Sequence, residues 1–399
     1  MAQPEFPRPW QVTVAALGSL LALTLLVYAN AYEGEFVFDS LAQILRNDRV
    51  HGWDELGAML SSRRPVVELS VAWNWSLGEA SIGGYRFVNM LIHAASAMVL
   101  FLLVRRTLLL PGLPASWADR ASLIAWLIAA LWCVHPLHTQ VVNYIVQRSE
   151  SMMGLFYLLT LWCVATGAVS RLPWRAVWYI GAIAACGLGM GSKAVMVTAP
   201  VAVLLYDVCF LRGSWRDRLR DRGWLYAGLA LTWLVLFQSG LVEAVLTTEN
   251  SANKNVGFGS PEVPGSAAEP GAQAWTYLLT QAGVLVYYLR VAVWPGPLVM
   301  DYEWPWAAGL GSALLPGLVV LALLGGAIWC LVRRPRAGFV WFWFFLVLAP
   351  TSSFIPIADA AFEHRLYLSL ISVVAGVVLG GVWLSDRLAA RGAGPLVAR

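Results

Sequence analysis

One aspartate, one lysine and two arginines are conspicuous because the chain offers so few places to put them. Asp39, Arg148, Lys193 and Arg365 each lie at or near the end of a long apolar run. Charge at membrane depth is expensive and marks either a functional cavity or a specific pairing. Their neighbours are polar: His135, His138, Gln140, Asn143, Tyr144, Gln147 and Glu150 surround Arg148, Ser192 precedes Lys193, and Glu363, His364 and Tyr367 flank Arg365. Cations at a lipid boundary suit a phosphorylated lipid, because guanidinium grips phosphate oxygens bidentately and ammonium acts as a point charge. Asp39, at the start of a large loop, is placed to take the proton of an incoming hydroxyl. The chemistry expected is group transfer at the membrane surface.

Each residue also has a simpler reading. Arg148 could pair with Glu150, and Arg365 with Glu363 or Asp359, as solvated ion pairs of small consequence. His135 and His138 flank Pro136 but lack a third fixed ligand, so helix-end capping explains them better than a metal site. Trp294, Trp304 and Trp306 fit an interfacial aromatic belt without any role in sugar stacking. The five cysteines all sit in apolar segments without paired spacing, which makes them packing residues.

These residues must be carried by membrane helices. Of 399 residues, 59% are hydrophobic and 13% charged, too few to cover a water-exposed surface. Runs such as Val12 to Tyr28 and Leu310 to Val332 approach or exceed the ~20 residues needed to cross ~30 Å of hydrocarbon. The expected fold is an all-α integral membrane protein, one domain over 1–399, with about ten spans (ten or eleven): 12–30, 87–104, 121–135, 151–169, 175–191, 194–211, 223–246, 310–332, 338–356 and 366–384. The first run is long and lacks a cleavage site, so it reads as a retained span rather than a signal peptide. Arginines gather in alternate connections, at Arg105 and Arg106, at Arg171 and Arg175, from Arg212 to Arg222, and from Arg333 to Arg336. That pattern places these loops and both termini in the cytoplasm of an inner-membrane protein, with the polar clusters facing the periplasm. Residues 275–294 break the alternation and are expected as a re-entrant or interfacial helix; an eleven-span chain with an external C-terminus is the alternative. The first external loop, 31–86, has the composition of interfacial amphipathic helices. The second, 247–274, is rich in Gly, Pro, Ser and Ala and is expected to be flexible.

The ordered motifs are FVFDS from Phe36 to Ser40, Arg64-Pro65, GYRFVNMLIHA from Gly84 to Ala94, HPLHTQVVNYIVQRSE from His135 to Glu150 and GSKAVMVTAP from Gly191 to Pro200. LLYDVCF from Leu204, YLRVAVWPGPLVMDYEW from Tyr288 to Trp304, LAPTSSFIP from Leu348 to Pro356 and EHRLYL from Glu363 complete the set. In this order they resemble the GT-C superfamily of polyprenyl-phosphate-sugar-dependent glycosyltransferases, especially bacterial relatives of the transmembrane O-mannosyltransferases that carry tetratricopeptide repeats. The resemblance implies a GT-C-like fold and transfer, with inversion, of a sugar from an isoprenoid phosphate to an acceptor hydroxyl. Asp39 matches the family's catalytic aspartate. Arg148, Lys193, Arg365 and His364 are the candidates for the donor phosphate, and Arg64, His135, His138, Gln140, Tyr144, Glu150, Asp301, Tyr302, Glu363 and Tyr367 for the cavity wall.

The chain departs from the family at three carboxylate positions, which are Ser40, Gln140 and Ala194 here. That leaves open a second reading, a catalytically degenerate relative serving as a lipid-binding or structural subunit. A secondary transporter is a third, motivated only by the span number, with no internal repeat behind it. Expected partners are the lipid-linked sugar, an acceptor protein or glycan and membrane lipids, with no role for nucleic acid. No tetratricopeptide array follows the last span, so an acceptor-recruiting module is expected as a separate partner subunit. No metal ligand set is assigned, and a divalent cofactor, Mg or Mn, stays open.

Overall fold

A computed structural model describes residues 9–238, 270–357 and 359–392. Every regular element among them is helical, as a lipid-embedded chain requires if its backbone is to satisfy its own hydrogen bonds. The helices of twelve residues or more are α1 (Pro9–Val27), α2 (Pro65–Gly78), α3 (Ile82–Leu108), α4 (Ala121–Cys133), α5 (Arg148–Gly167), α6 (Trp174–Met190), α7 (Ala199–Phe210), α8 (Trp215–Leu231), α9 (Pro270–Val293), α10 (Leu310–Arg333), α11 (Pro335–Leu348) and α12 (Leu366–Gly392).

Six helical segments among the described residues are long and apolar enough to cross a bilayer, and a seventh is obtained if α4 and the bent segment after it count as one. The expected ten spans are reached only by adding shorter helices such as α7 and α11. The expected span at 338–356 ends early, because α11 stops at Leu348 and none of the described residues between 349 and 362 is helical. The expected span at 223–246 is described only to residue 238, as the end of α8 and the short helix Trp233–Gln238. Nearly all of the loop expected at 247–274 lies outside the described residues.

Burial sorts the helices. α5 is the axis, with sixteen of its twenty residues buried. Gly154 lets the bundle close on it, since a Cβ there would lie 2.4 Å from the Tyr367 ring. α10 is at the rim, with Leu314, Leu315 and Leu321 more than 60% exposed, as suits a surface that faces lipid.

Two opposite faces can be assigned from contacts. On one, Arg120 pairs with Asp386 at 2.6 Å, Arg105 donates to the Ser122 hydroxyl at 2.9 Å, and Arg336 donates to the Gly112 and Pro111 carbonyls. This is the basic face. α1 runs parallel to α4, with Trp126 bonded to Ser19 and Thr24 3.0 Å from Cys133, so Pro9 and the end of α12 lie on the same face. Most of the motif residues collect at the other end, whereas Asp207 of LLYDVCF pairs with Arg218 and Arg222 near the basic face.

The loop expected at 31–86 forms short turns and α2, and its last residues already begin α3. Ile44, Val50, Met59, Val71 and Tyr85 bury a small core of their own beside the bundle. α9 is long and apolar enough to cross, yet its polar side chains are tied along its length to the site face. Tyr277 donates to the Thr351 carbonyl, Gln281 to that of Ala360 and Tyr288 to that of Phe362. Near its end, the Ala292 backbone bonds to His135. Residues 294–309 then return along it, with the Ala307 N–H on the Thr280 hydroxyl at 2.9 Å.

Candidate functional site

Two motifs of the site are locked together by backbone. Pro65 starts α2, and the Val66 N–H donates to the Gly191 carbonyl at 3.2 Å. Gly191 must be glycine for that approach, because a Cβ would come within 2.7 Å of Val66 Cγ2 and 3.4 Å of Pro65 Cγ. Arg64 on one segment and Lys193 on the other are thereby held on a common wall.

Lys193 bonds Glu150 at 2.6 Å, and the Glu150 side chain is 2% exposed. A second, longer bond joins Lys193 to Gln147 Oε1 at 3.4 Å. Burial lowers the Lys193 pKa while Glu150 holds it up; Arg64 and Arg365 are near enough to lower it further. Arg64 is half-buried, and among the described residues its guanidinium donates no hydrogen bond. Burial depresses its pKa, and the charges of Glu150 and Asp39 oppose that effect. Arg64 thus stands within the electrostatic reach of both the buried glutamate and the candidate base.

Asp39 is exposed, and its backbone N–H donates to the Tyr144 hydroxyl at 3.1 Å. Phe38 before it has φ +49°, a left-handed conformation that a bulky side chain adopts only under constraint. The Phe38 and Tyr144 rings meet edge-on at 6.3 Å, which helps to fix that turn. Burial, with Asp39 next, pushes the Tyr144 phenol up to about 12. Asp301 is exposed on the opposite segment and accepts from the Glu303 N–H, itself at φ +38°. Asp359 feels both Asp39 and Asp301, so three acids share one field. Among the described residues no three His, Cys, Asp or Glu side chains converge as a metal ligand set.

Several expected ligands have other roles. Arg148 is fully buried and donates to Asn89 Oδ1 (2.7 Å), Asn74 Oδ1 (2.8 Å) and the carbonyls of Ser70 (3.1 Å) and Tyr85 (3.0 Å). It is a clamp between α2, α3 and α5, and its pairing with Glu150 does not form. Arg365 donates to the carbonyls of Ala360 (3.0 Å) and Asp359 (2.6 Å), which leaves it shaping the loop before α12. His364 is 6% exposed, with Nδ1 3.0 Å from Gln140 Oε1 and its ring stacked on Phe362. Gln140 also donates from Nε2 to the Met300 carbonyl at 3.0 Å, bridging both segments. Glu363 accepts from the Val299 N–H (2.8 Å) and from the Tyr302 hydroxyl (2.5 Å), so both residues pin the return segment. His138 and Tyr367 are fully buried in a knot with Trp132 and His93. His135 is half-buried and its Nδ1 accepts from the Leu137 N–H at 3.4 Å, which is a cap.

The structure therefore brings together Arg64, Lys193, Glu150, Asp39, Tyr144, Asp301 and Asp359. Sequence reasoning missed Asp359 as a member of the acid group and His93 as the partner of Tyr367, whose hydroxyl lies 2.9 Å from His93 Nδ1.

Comparison with known proteins adds a direction. Protein O-mannosyl-transferase Tmtc2 of Drosophila melanogaster is 28% identical over 306 residues, 71% of this chain and 30% of its own length. Protein O-mannosyl-transferase tmtc2 of Xenopus laevis is 32% identical over 206 residues, 47% of this chain and 23% of its own. Protein O-mannosyl-transferase F38B6.6 of Caenorhabditis elegans is 31% identical over 157 residues, 36% of this chain and 22% of its own. This chain is similar to O-mannosyl-transferases. It spans between 22% and 30% of the length of these three relatives. No family model matches the chain, and no solved structure matches it.

Proposed function

We propose that this protein is a membrane glycosyltransferase that moves a sugar from a polyprenyl-phosphate donor to an acceptor hydroxyl, with inversion, on the face that carries Asp39. The observation behind this reading is the wall built from Arg64 and Lys193, in which Arg64 lies within electrostatic reach of the Asp39 carboxylate and of Lys193. In the step proposed, Asp39 takes the acceptor's proton as its oxygen bonds to the anomeric carbon. The bond from that carbon to the phosphate oxygen breaks, and Arg64 and Lys193 receive the charge that develops on the departing phosphate. The arginine face is the cytoplasmic one in this reading, the cavity opens to the periplasm of a bacterial inner membrane, and α9 enters and leaves on the cavity side. The acceptor is a protein or glycan, brought by a partner subunit.

The test is transfer from radiolabelled polyprenyl-phosphate sugar in proteoliposomes. Asp39→Asn should lower turnover by ~10²–10⁴-fold, the usual contribution of a general base, while the protein stays folded because Asp39 is exposed. Turnover at wild-type rate by that variant rejects Asp39 as the base.

Ser40, Gln140 and Ala194 favour the second reading, a lipid-binding subunit without turnover. It gains if the wild-type protein binds polyprenyl phosphate and never consumes the donor.

A further inference from the structure

A large apolar cleft lies away from the site, toward the basic face. Its volume is about 1100 Å³, beyond the ~300–1,000 Å³ of ordinary small-molecule pockets. Along α12 it extends from Ile371 to Trp383, about 18 Å at ~1.5 Å per residue. That is close to half of the ~30 Å hydrocarbon thickness, or one leaflet. Arg365 lies a further ~9 Å along the helix by the same rise. The cleft therefore serves the leaflet opposite the donor cavity.

Its room comes from small residues. Gly376 and Gly380, one turn apart, both line the cleft, and a Cβ added at either would meet nothing within 4 Å. Its mouth is cationic. Arg334 lines it and is exposed, and Arg106 lies within electrostatic reach of Tyr206, another lining residue. Neither arginine forms an ion pair among the described residues, whereas Asp386, the nearby acid, is already joined to Arg120. Arg336 is occupied by the Pro111 and Gly112 carbonyls, which closes the rim next to Arg334.

We propose that this cleft binds one anionic phospholipid of the leaflet on the basic face, with its acyl chains against α12 and its phosphate at Arg334 and Arg106. Depth and charge both select this occupant. An isoprenoid phosphate held at Arg64 has its headgroup on the other face, and a lipid that merely fills a groove needs no cations at the mouth. The proposal is independent of sugar transfer, since it is read by binding.

The test uses the full chain purified in detergent and examined by native mass spectrometry with added phosphatidylglycerol or phosphatidylcholine of identical chains. Wild type should retain one phosphatidylglycerol at least tenfold more tightly than phosphatidylcholine. Arg334→Ser with Arg106→Ser should abolish that preference while chain binding persists. Gly376→Phe should fill the cleft and lose retention of both lipids; Gly380→Leu repeats the test if the larger side chain prevents folding. Equal retention of the two headgroups by wild type, undiminished retention by the filled variants, or displacement of phosphatidylglycerol by polyprenyl phosphate would overturn the assignment.

Discussion

Asp207 near the basic face and Glu150 near the cavity are both buried carboxylates, yet they are held in opposite ways. Asp207 is fully buried with Arg218 at 2.9 Å, Arg222 at 2.8 Å and the Tyr226 hydroxyl at 2.5 Å. Glu150, almost as buried, has Lys193 at 2.6 Å and the more distant charge of Arg64. Removing a carboxylate from water is tolerable only with close partners. Three donors make Asp207 a closed pin between α7 and α8. Glu150 instead anchors a lysine that directs two of its three N–H groups at Glu150 and Gln147, beside an Arg64 whose guanidinium donates no hydrogen bond among the described residues, so the pair keeps capacity for an anion. A saturated charge cluster fixes architecture, and an undersaturated one provides a site.

The contrast can be broken by substitution. Asp207→Ala should have the largest effect, a loss of about 3–5 kcal/mol, because it leaves two arginines buried without their acid; a denaturation midpoint close to wild type would show the pin to be dispensable. Arg148→Ala comes next. It orphans acceptors on Asn89, Asn74, Tyr85 and Ser70, each worth ~1–3 kcal/mol if unmet, and should lower folded yield sharply. Arg64→Ala should instead leave the melting temperature alone and weaken donor binding about tenfold, or ~1.4 kcal/mol. If both variants lose binding without losing stability, Arg148 is a phosphate ligand after all.

Gln140→Glu should cost on the order of 1–2 kcal/mol, since a carboxylate cannot donate to the Met300 carbonyl that Gln140 now serves. Thermal unfolding checks it, and an increase in stability would contradict the bridging role. The smallest effect is expected of Asp359→Asn. Burial raises the Asp359 pKa, Arg365 opposes it, and Asp301 and Asp39 add to the rise. A carboxyl raised on folding costs nothing while protonated and costs stability as pH climbs past its ordinary value near 4. The asparagine variant should therefore gain relative to wild type above about pH 4, by no more than ~0.5 kcal/mol. A relative gain only at lower pH would reverse the sign.

Much of the scaffold was legible because apolar run length and helix length are tied by the bilayer; α3, α5 and α10 fall within a few residues of their expected bounds. The gathering of polar motifs at one end could also be read, since alternate loops carry them. The division of labour among the cations could not. Arg148 and Glu150 are two apart on one helix, and residues at that spacing point to different sides. One therefore faces α2 and α3 while the other meets Lys193. Gln140 and His364 are separated by 224 positions, and no local pattern announces their contact. Asp359 sits in a non-helical stretch where no periodicity indicates which way a side chain points.

The contact of Gly191 with Pro65 and Val66 has a bearing on protein engineering. It couples two segments distant in the chain so tightly that neither can be exchanged alone. A hybrid that takes residues 31–86 from a relative while keeping this protein's own 189–193 turn would set mismatched surfaces against each other where the Val66 N–H meets the Gly191 carbonyl at 3.2 Å. Swaps meant to alter acceptor choice should carry both pieces together.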